Sequence, residues 1–215
     1  MQYTRQADLI KCDMRTPITV VGAGGIGSFT VLTLAKMGFN DITVYDFDKV
    51  EEHNLSSQFY RTEDLGSYKV DALLEIVESF ADVELRVVAE RFEPASFEMP
   101  PGGVLIAAVD TMLVRRELYD WFIEHPDCAL FVDGRMGADQ AEVYTVDREH
   151  HNDYASRLWL DSETAALPCT SKATMYNVLT IASLIANHVR LSLMNEPVRW
   201  AVVVDNRNVQ MHYIQ

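Results

Sequence analysis

Glycine recurs in Gly22-Ala23-Gly24-Gly25-Ile26-Gly27 at the spacing by which a strand turning into a helix brings its backbone against a phosphate group. In that pattern Gly22 permits a tight turn, Gly24 lets the main chain approach the ligand, and Gly27 lets the helix pack closely. A helix that starts there aims unpaired N–H groups and the positive end of its dipole at an anion. Asp46 follows Gly27 by about 20 residues, where a carboxylate can accept both hydroxyls of a ribose. Gly22, Gly24, Gly25, Gly27 and Asp46 are therefore expected to bind a nucleotide.

The residues downstream narrow the chemistry. Asp46-Phe47-Asp48-Lys49-Val50 leads to Asn54-Leu55-Ser56-Ser57-Gln58, then to Leu65-Gly66-Ser67-Tyr68-Lys69. A further block reads Ala107-Ala108-Val109-Asp110-Thr111, followed by Arg115. In order and spacing these blocks resemble the superfamily of ubiquitin-activating enzymes and the bacterial adenylyltransferases of thiamine and molybdopterin biosynthesis. That family reads D-x-D-x-V-x-x-x-N-L-x-R-Q, then a glycine and a lysine three residues later, then D-N-x-x-x-R. Ser57 stands where the family has arginine, and Thr111 where it has asparagine. The resemblance runs from Tyr3 to about Met194.

The resemblance implies ATP-dependent adenylation of the C-terminal carboxylate of a small ubiquitin-like or sulfur-carrier protein, with Mg2+ and with release of pyrophosphate. The residue types suit that reaction, because carboxylate attack at the α-phosphorus gathers negative charge that cations and oriented N–H groups must meet. Lys69 supplies a point charge, Asp110 a hard oxygen ligand for the metal, and Asn54 and Gln58 neutral groups that orient phosphate or carboxylate oxygens. Asp48 belongs to the same implied nucleotide-binding set. Tyr3-Thr4-Arg5-Gln6 is similar to a family segment whose arginine reaches the ATP phosphates of the other subunit, so Arg5 is an implied catalytic residue of a homodimer. Cys169 stands just before a long helix, where a helix start lowers a thiol pKa and where the family can carry an acyl group; packing is its other reading. Two rival functions stay open. Glycines plus Asp46 would also serve an NAD- or FAD-dependent oxidoreductase, and Ser57 allows a nucleotide-binding pseudo-enzyme without turnover.

Alternating apolar segments must position these groups. Strands are expected at Ile18 to Val21, Ile42 to Asp46, Glu84 to Ala89, Val104 to Val109 and Ala129 to Asp133, with helices at Ile26 to Met37, Lys69 to Phe80 and Leu113 to Glu124. This pattern predicts an α/β, Rossmann-like fold, a mostly parallel sheet with helices on both faces. Ala141 to Val146 reads as an edge strand and Val202 to Val209 as a hairpin, giving an antiparallel C-terminal extension. The polar stretch from Asp147 to Thr170 is expected to be a loop crossing the nucleotide face, its His150, His151 and Asp153 too isolated for a metal site.

The 215 residues, 48% of them apolar and undivided by a linker, are expected to form one nucleotide-binding adenylation domain over 1–215. A net charge of -14 argues against nucleic acid; it favours a basic protein partner, although an acidic surface is more often a solubility feature. The apolar run from Val178 to Val189 is interrupted by Thr180, Ser183, Asn187 and His188, so a buried amphipathic helix is expected there and no membrane span. The amino terminus has no apolar signal core, which makes the cytoplasm the expected location. Cys12, Cys128 and Cys169 are too scattered for the paired C-x-x-C ligands of many relatives, so no structural zinc is expected.

Overall fold

The structure, a computed structural model, describes residues 3–159 and 173–214. Eight strands form one sheet in the order β3-β2-β1-β4-β5-β6-β7-β8. The first five, β1 (Ile18–Val21), β2 (Asp41–Tyr45), β3 (Glu84–Val88), β4 (Val104–Ala107) and β5 (Leu130–Gly137), pair in parallel. The last three, β6 (Gln140–Val146), β7 (Ala201–Asp205) and β8 (Gln210–Tyr213), add antiparallel. All residues of β1 and β4 are buried, as suits central strands of β-branched and aliphatic residues covered on both faces.

Helices α1 (Gly25–Met37), α2 (Lys69–Phe80) and α5 (Met175–Leu193) cover one face, where Leu34, Leu73 and Ile185 meet Val20 and Val132 in a common core. Helices α3 (Met112–Glu124) and α4 (His151–Ala155) cover the other, packing Phe122 and Tyr154 against Leu105 and Phe131. The run expected to be a buried amphipathic helix is the middle of α5, with Val178, Ile181, Ile185 and Val189 all buried.

Three expectations change. The segment Ala141 to Val146 is not an edge: β6 lies between β5 and β7, since the chain returns after α5 to cover it. Alternation along one strand cannot show a partner that arrives sixty residues later, and here Tyr144, Thr145 and Val146 are all buried. Strand β5 continues beyond Asp133 through Gly134 and Arg135. Gly134 makes this possible, because a Cβ there would lie 2.8 Å from Ile185 and 3.0 Å from Ile181 on α5. The start of the supposed loop after Asp147 is helix α4, anchored by the fully buried Tyr154 on the face of α3.

Candidate nucleotide-binding site

The glycine turn joins β1 to α1 at the carboxyl end of the parallel strands. Gly22 has φ +98°, and a Cβ built on it would lie 2.4 Å from the carbonyl oxygen of Ala108, beyond β4. A Cβ on Gly27 would lie 1.8 Å from the oxygen of Gly22, so the helix packs directly on the turn. Around Gly24, in contrast, a Cβ would meet no protein atom within 4 Å. Gly24 is also the N-cap of α1 and brings no side chain to its N–H groups. An open space therefore faces an uncapped helix start, the arrangement that receives phosphate.

Both sides of the Ala23 peptide are pinned. Its N–H donates to Asp46 Oδ2 at 2.7 Å, and its carbonyl accepts from the buried hydroxyl of Tyr60, whose pKa burial raises well above the usual value. Asp46 Oδ1 accepts the N–H of Asp48 at 2.8 Å. Burial raises the Asp46 carboxyl pKa, against the opposing effect of these two N–H groups. A carboxylate offers about four lone-pair positions, so two bonds to backbone leave room for ribose hydroxyls. Asp48 Oδ2 then accepts from Lys69 Nζ at 2.8 Å, which completes a chain of bonds from the glycine turn to the start of α2.

The segment from Asn54 to Gln58 lies over the first turn of α1. A Gly25 Cβ would approach the Ser57 carbonyl to 2.9 Å, and the Phe59 N–H donates to Ser28 Oγ at 3.1 Å. Asn54 is buried, and its Oδ1 closes a capping box by accepting the Glu51 N–H at 2.9 Å. Gln58 Oε1 is buried without a protein partner, an uncommon state for such an atom. Ser57, at the family's arginine position, is itself buried. The nearby Arg61 is engaged with Asp64, Glu63 and Glu75.

Asp110 follows β4 and is exposed; the N-cap of α3 is its neighbour Thr111, whose hydroxyl accepts the Val114 N–H at 3.4 Å. Arg115 reaches back from α3 to the carbonyls of Val109 and Gly134 and places Nε 2.8 Å from Asp133 Oδ1. Asp133 is fully buried and also takes Arg135 Nε at 2.6 Å and the Tyr154 hydroxyl at 2.9 Å. Burial alone would lift its carboxyl pKa, but the Arg115 and Arg135 guanidinium groups hold it below the usual carboxylate range. Arg135 in turn lies over the rings of Tyr144 and Trp159. This network fixes the main chain beside Asp110, and sequence reasoning missed Asp133 and Arg135; the one available signal was an acid and a base two residues apart at the end of an apolar strand.

Other expected site residues lie apart. Arg5 is exposed in a one-turn helix, Thr4–Gln6, whose Gln6 side chain donates to the Lys36 carbonyl at the end of α1. Cys169 lies outside the described residues. Cys128 is a buried free thiol whose pKa burial pushes up to about 11, and Cys12 is half-buried and free. Among the described residues no group of three or more His, Cys, Asp or Glu side chains is placed to hold a metal ion. Asp110 offers a single exposed carboxylate, and Mg2+ is commonly held by one or two carboxylates together with phosphate oxygens.

Glycine turn, acidic strand end, buried lysine and Asp110 thus lie along one chain, and the ThiF family profile matches residues 10–212 of it. The chain belongs to the ThiF family. This ThiF-family chain is 35% identical over 75 residues to Ubiquitin-like modifier-activating enzyme 5 of Arabidopsis thaliana, a match covering 35% of the chain and 17% of that relative. To the NEDD8-activating enzyme E1 catalytic subunit of the same plant it is 37% identical over 83 residues, covering 38% and 18%. The matches thus span less than a fifth of either relative. Among solved structures, E. coli MccB with AMPCPP and SeMet MccA superposes with a TM-score of 0.76 at 15% identity, covering 94% of this chain and 64% of that one. E. coli MccB with ATP gives a TM-score of 0.70 at 16% identity, covering 93% and 63%. These likenesses are of fold.

Proposed function

We propose that this ThiF-family chain is an adenylyltransferase: it activates the C-terminal carboxylate of a ubiquitin-like or sulfur-carrier protein with ATP, residues 1–215 acting as one adenylation domain. The observation that carries the reading is the hydrogen-bonded chain from Ala23 through Asp46 and Asp48 to the buried Lys69, beside open space at Gly24. The NAD- or FAD-dependent alternative needs the turn and Asp46 but has no use for a buried ammonium at the end of that chain. Nucleotide-bound MccB structures share the fold and support the same reading.

In the proposed reaction a carboxylate oxygen attacks the α-phosphorus of ATP. The bond from that phosphorus to the α,β-bridging oxygen breaks, pyrophosphate leaves with the electron pair, and an acyl adenylate remains. The N–H groups at the start of α1 hold phosphate oxygens, and Asp46 holds the ribose. Lys69 meets the charge that grows as the bond breaks. Asp110 would hold Mg2+, which when bound offsets phosphate charge. Gln58 Oε1, left without a protein partner, suits a contact from nucleotide or from a group beside the incoming carboxylate.

The test is ATP–pyrophosphate exchange with candidate ubiquitin-like proteins. Exchange that requires an intact partner C-terminus is the expected result. Asp110→Ala should lower kcat by at least about a hundredfold while ATP binding persists, because metal placement acts chiefly on the transition state. Hydride transfer with NAD, and no exchange, would sink the reading. A second reading rests on Ser57 and on Arg61 being tied to acids: ATP binds but no adenylate forms. Calorimetry that shows ATP binding beside absent exchange, for every carboxylate tried, would favour it.

A further inference from the structure

Lys69 begins α2, where the positive end of the helix dipole disfavours a cation. Its side chain is only 8% exposed, although a lysine's four methylenes give it the reach to find water. Two contacts tie it to residue 48. Lys69 Nζ lies 2.8 Å from Asp48 Oδ2, and the Lys69 N–H donates to the Asp48 carbonyl at 2.9 Å. The Asp48 N–H is fixed in turn to Asp46 Oδ1. Asp48 itself is 51% exposed, so nothing about its own packing demands the pair. A pair with one partner in water adds little stability, whereas a buried ammonium without a partner is costly. The contact therefore matters most for where the ammonium points.

We propose that Asp48 is a positioning residue: it holds the Lys69 ammonium beside Asp46 and the glycine turn, and acts on the nucleotide through Lys69 rather than through the direct binding that the family resemblance implies for it. This inference rests on the adenylation reading for its consequence in turnover, but its geometric content can be tested without activity.

The experiment uses the full chain, its Asp48→Asn and Asp48→Glu variants, and Lys69→Ala with and without Asp48→Asn. Trinitrobenzenesulfonate labelling of the ligand-free protein, read by peptide mass spectrometry with the other lysines as internal standards, reports how firmly Lys69 is held. Labelling of Lys69 should rise about threefold or more in Asp48→Asn and fall back in Asp48→Glu, which restores the charge. Unchanged labelling in Asp48→Asn overturns the proposal. In pyrophosphate exchange, Asp48→Asn should lower kcat about tenfold with KM for ATP within about threefold of the parent. A raised KM at constant kcat would mean that Asp48 contacts the nucleotide, and overturns the proposal as well. Added to Lys69→Ala, Asp48→Asn should cost nothing more, since both act through one ammonium; a further loss of kcat overturns it. A parent without exchange defeats the adenylation reading alone, and the labelling still decides whether Asp48 positions Lys69.

Discussion

Gly24 and Gly27 are alike in sequence and opposite in surroundings. A methyl group on Gly27 would be forced into the Gly22 carbonyl, and one on Gly24 would enter open space. Gly27→Ala should therefore destabilise the fold by about 2 kcal/mol or more, whereas Gly24→Ala should stay within about 1 kcal/mol of the parent. Nucleotide affinity should reverse that order: Gly24→Ala fills the cradle and should weaken ATP binding at least about tenfold at preserved stability. Urea denaturation beside calorimetry checks both, and an ATP affinity untouched by Gly24→Ala would remove Gly24 from the site. The glycine turn and Asp46 were legible as candidates because their spacing along the chain reflects local geometry, whereas Lys69 and Asp110 became candidates only through the family resemblance. Asp133 and Arg135 were not. Their meaning depends on Arg115 from another helix and Tyr154 from a third element, and no spacing within β5 encodes that meeting.

The parallel half of the sheet could be read from apolar runs because β1, β2 and β4 are each followed by a helix, α1, α2 and α3, that packs on the sheet. The antiparallel half was read less well, since β6 owes its burial to β7 and α5, which come much later in the chain. His188 on α5 shows the consequence. It is buried against the sheet, shares a 2.8 Å hydrogen bond with Thr145 Oγ1 of β6, and burial lowers its pKa from 6.5 to about 4. Folding thus suppresses its protonation, so between those values the unfolded chain binds the extra proton. The stability that follows is complete above pH 6.5 and is lost as pH falls towards 4, a change of about 3 kcal/mol. Denaturant titrations across this window should show the fall, and His188→Gln should flatten it. An unchanged slope in the variant would place the acid sensitivity elsewhere.

Over the whole molecule, the sequence carries a net charge of -14, and among the described residues no helix is long and apolar enough to cross a membrane. Arg5 belongs to the question of assembly, because it is exposed at the end of α1 and its proposed phosphate contact lies in a second subunit. Mixing inactive Arg5→Ala and Asp110→Ala proteins should return partial exchange activity, since a heterodimer combines the intact Arg5 of one subunit with the intact Asp110 of the other. No recovery after verified subunit exchange, or full activity in a monomer, would count against an arginine supplied across the dimer.

The contact of Gly22 with Ala108 bears also on how the site comes into being. Every glycine of the turn lies within the first thirty residues, yet the surface against which the turn is moulded comes from the far side of β4. Closing a loop of that length is slow compared with forming α1 locally. A fragment ending before β4 would thus carry the whole glycine signature and no cradle. During refolding, helical signal should appear before ATP can be captured, and nucleotide fluorescence would time the docking of β4 on β1 rather than the winding of the helix that bears the glycines.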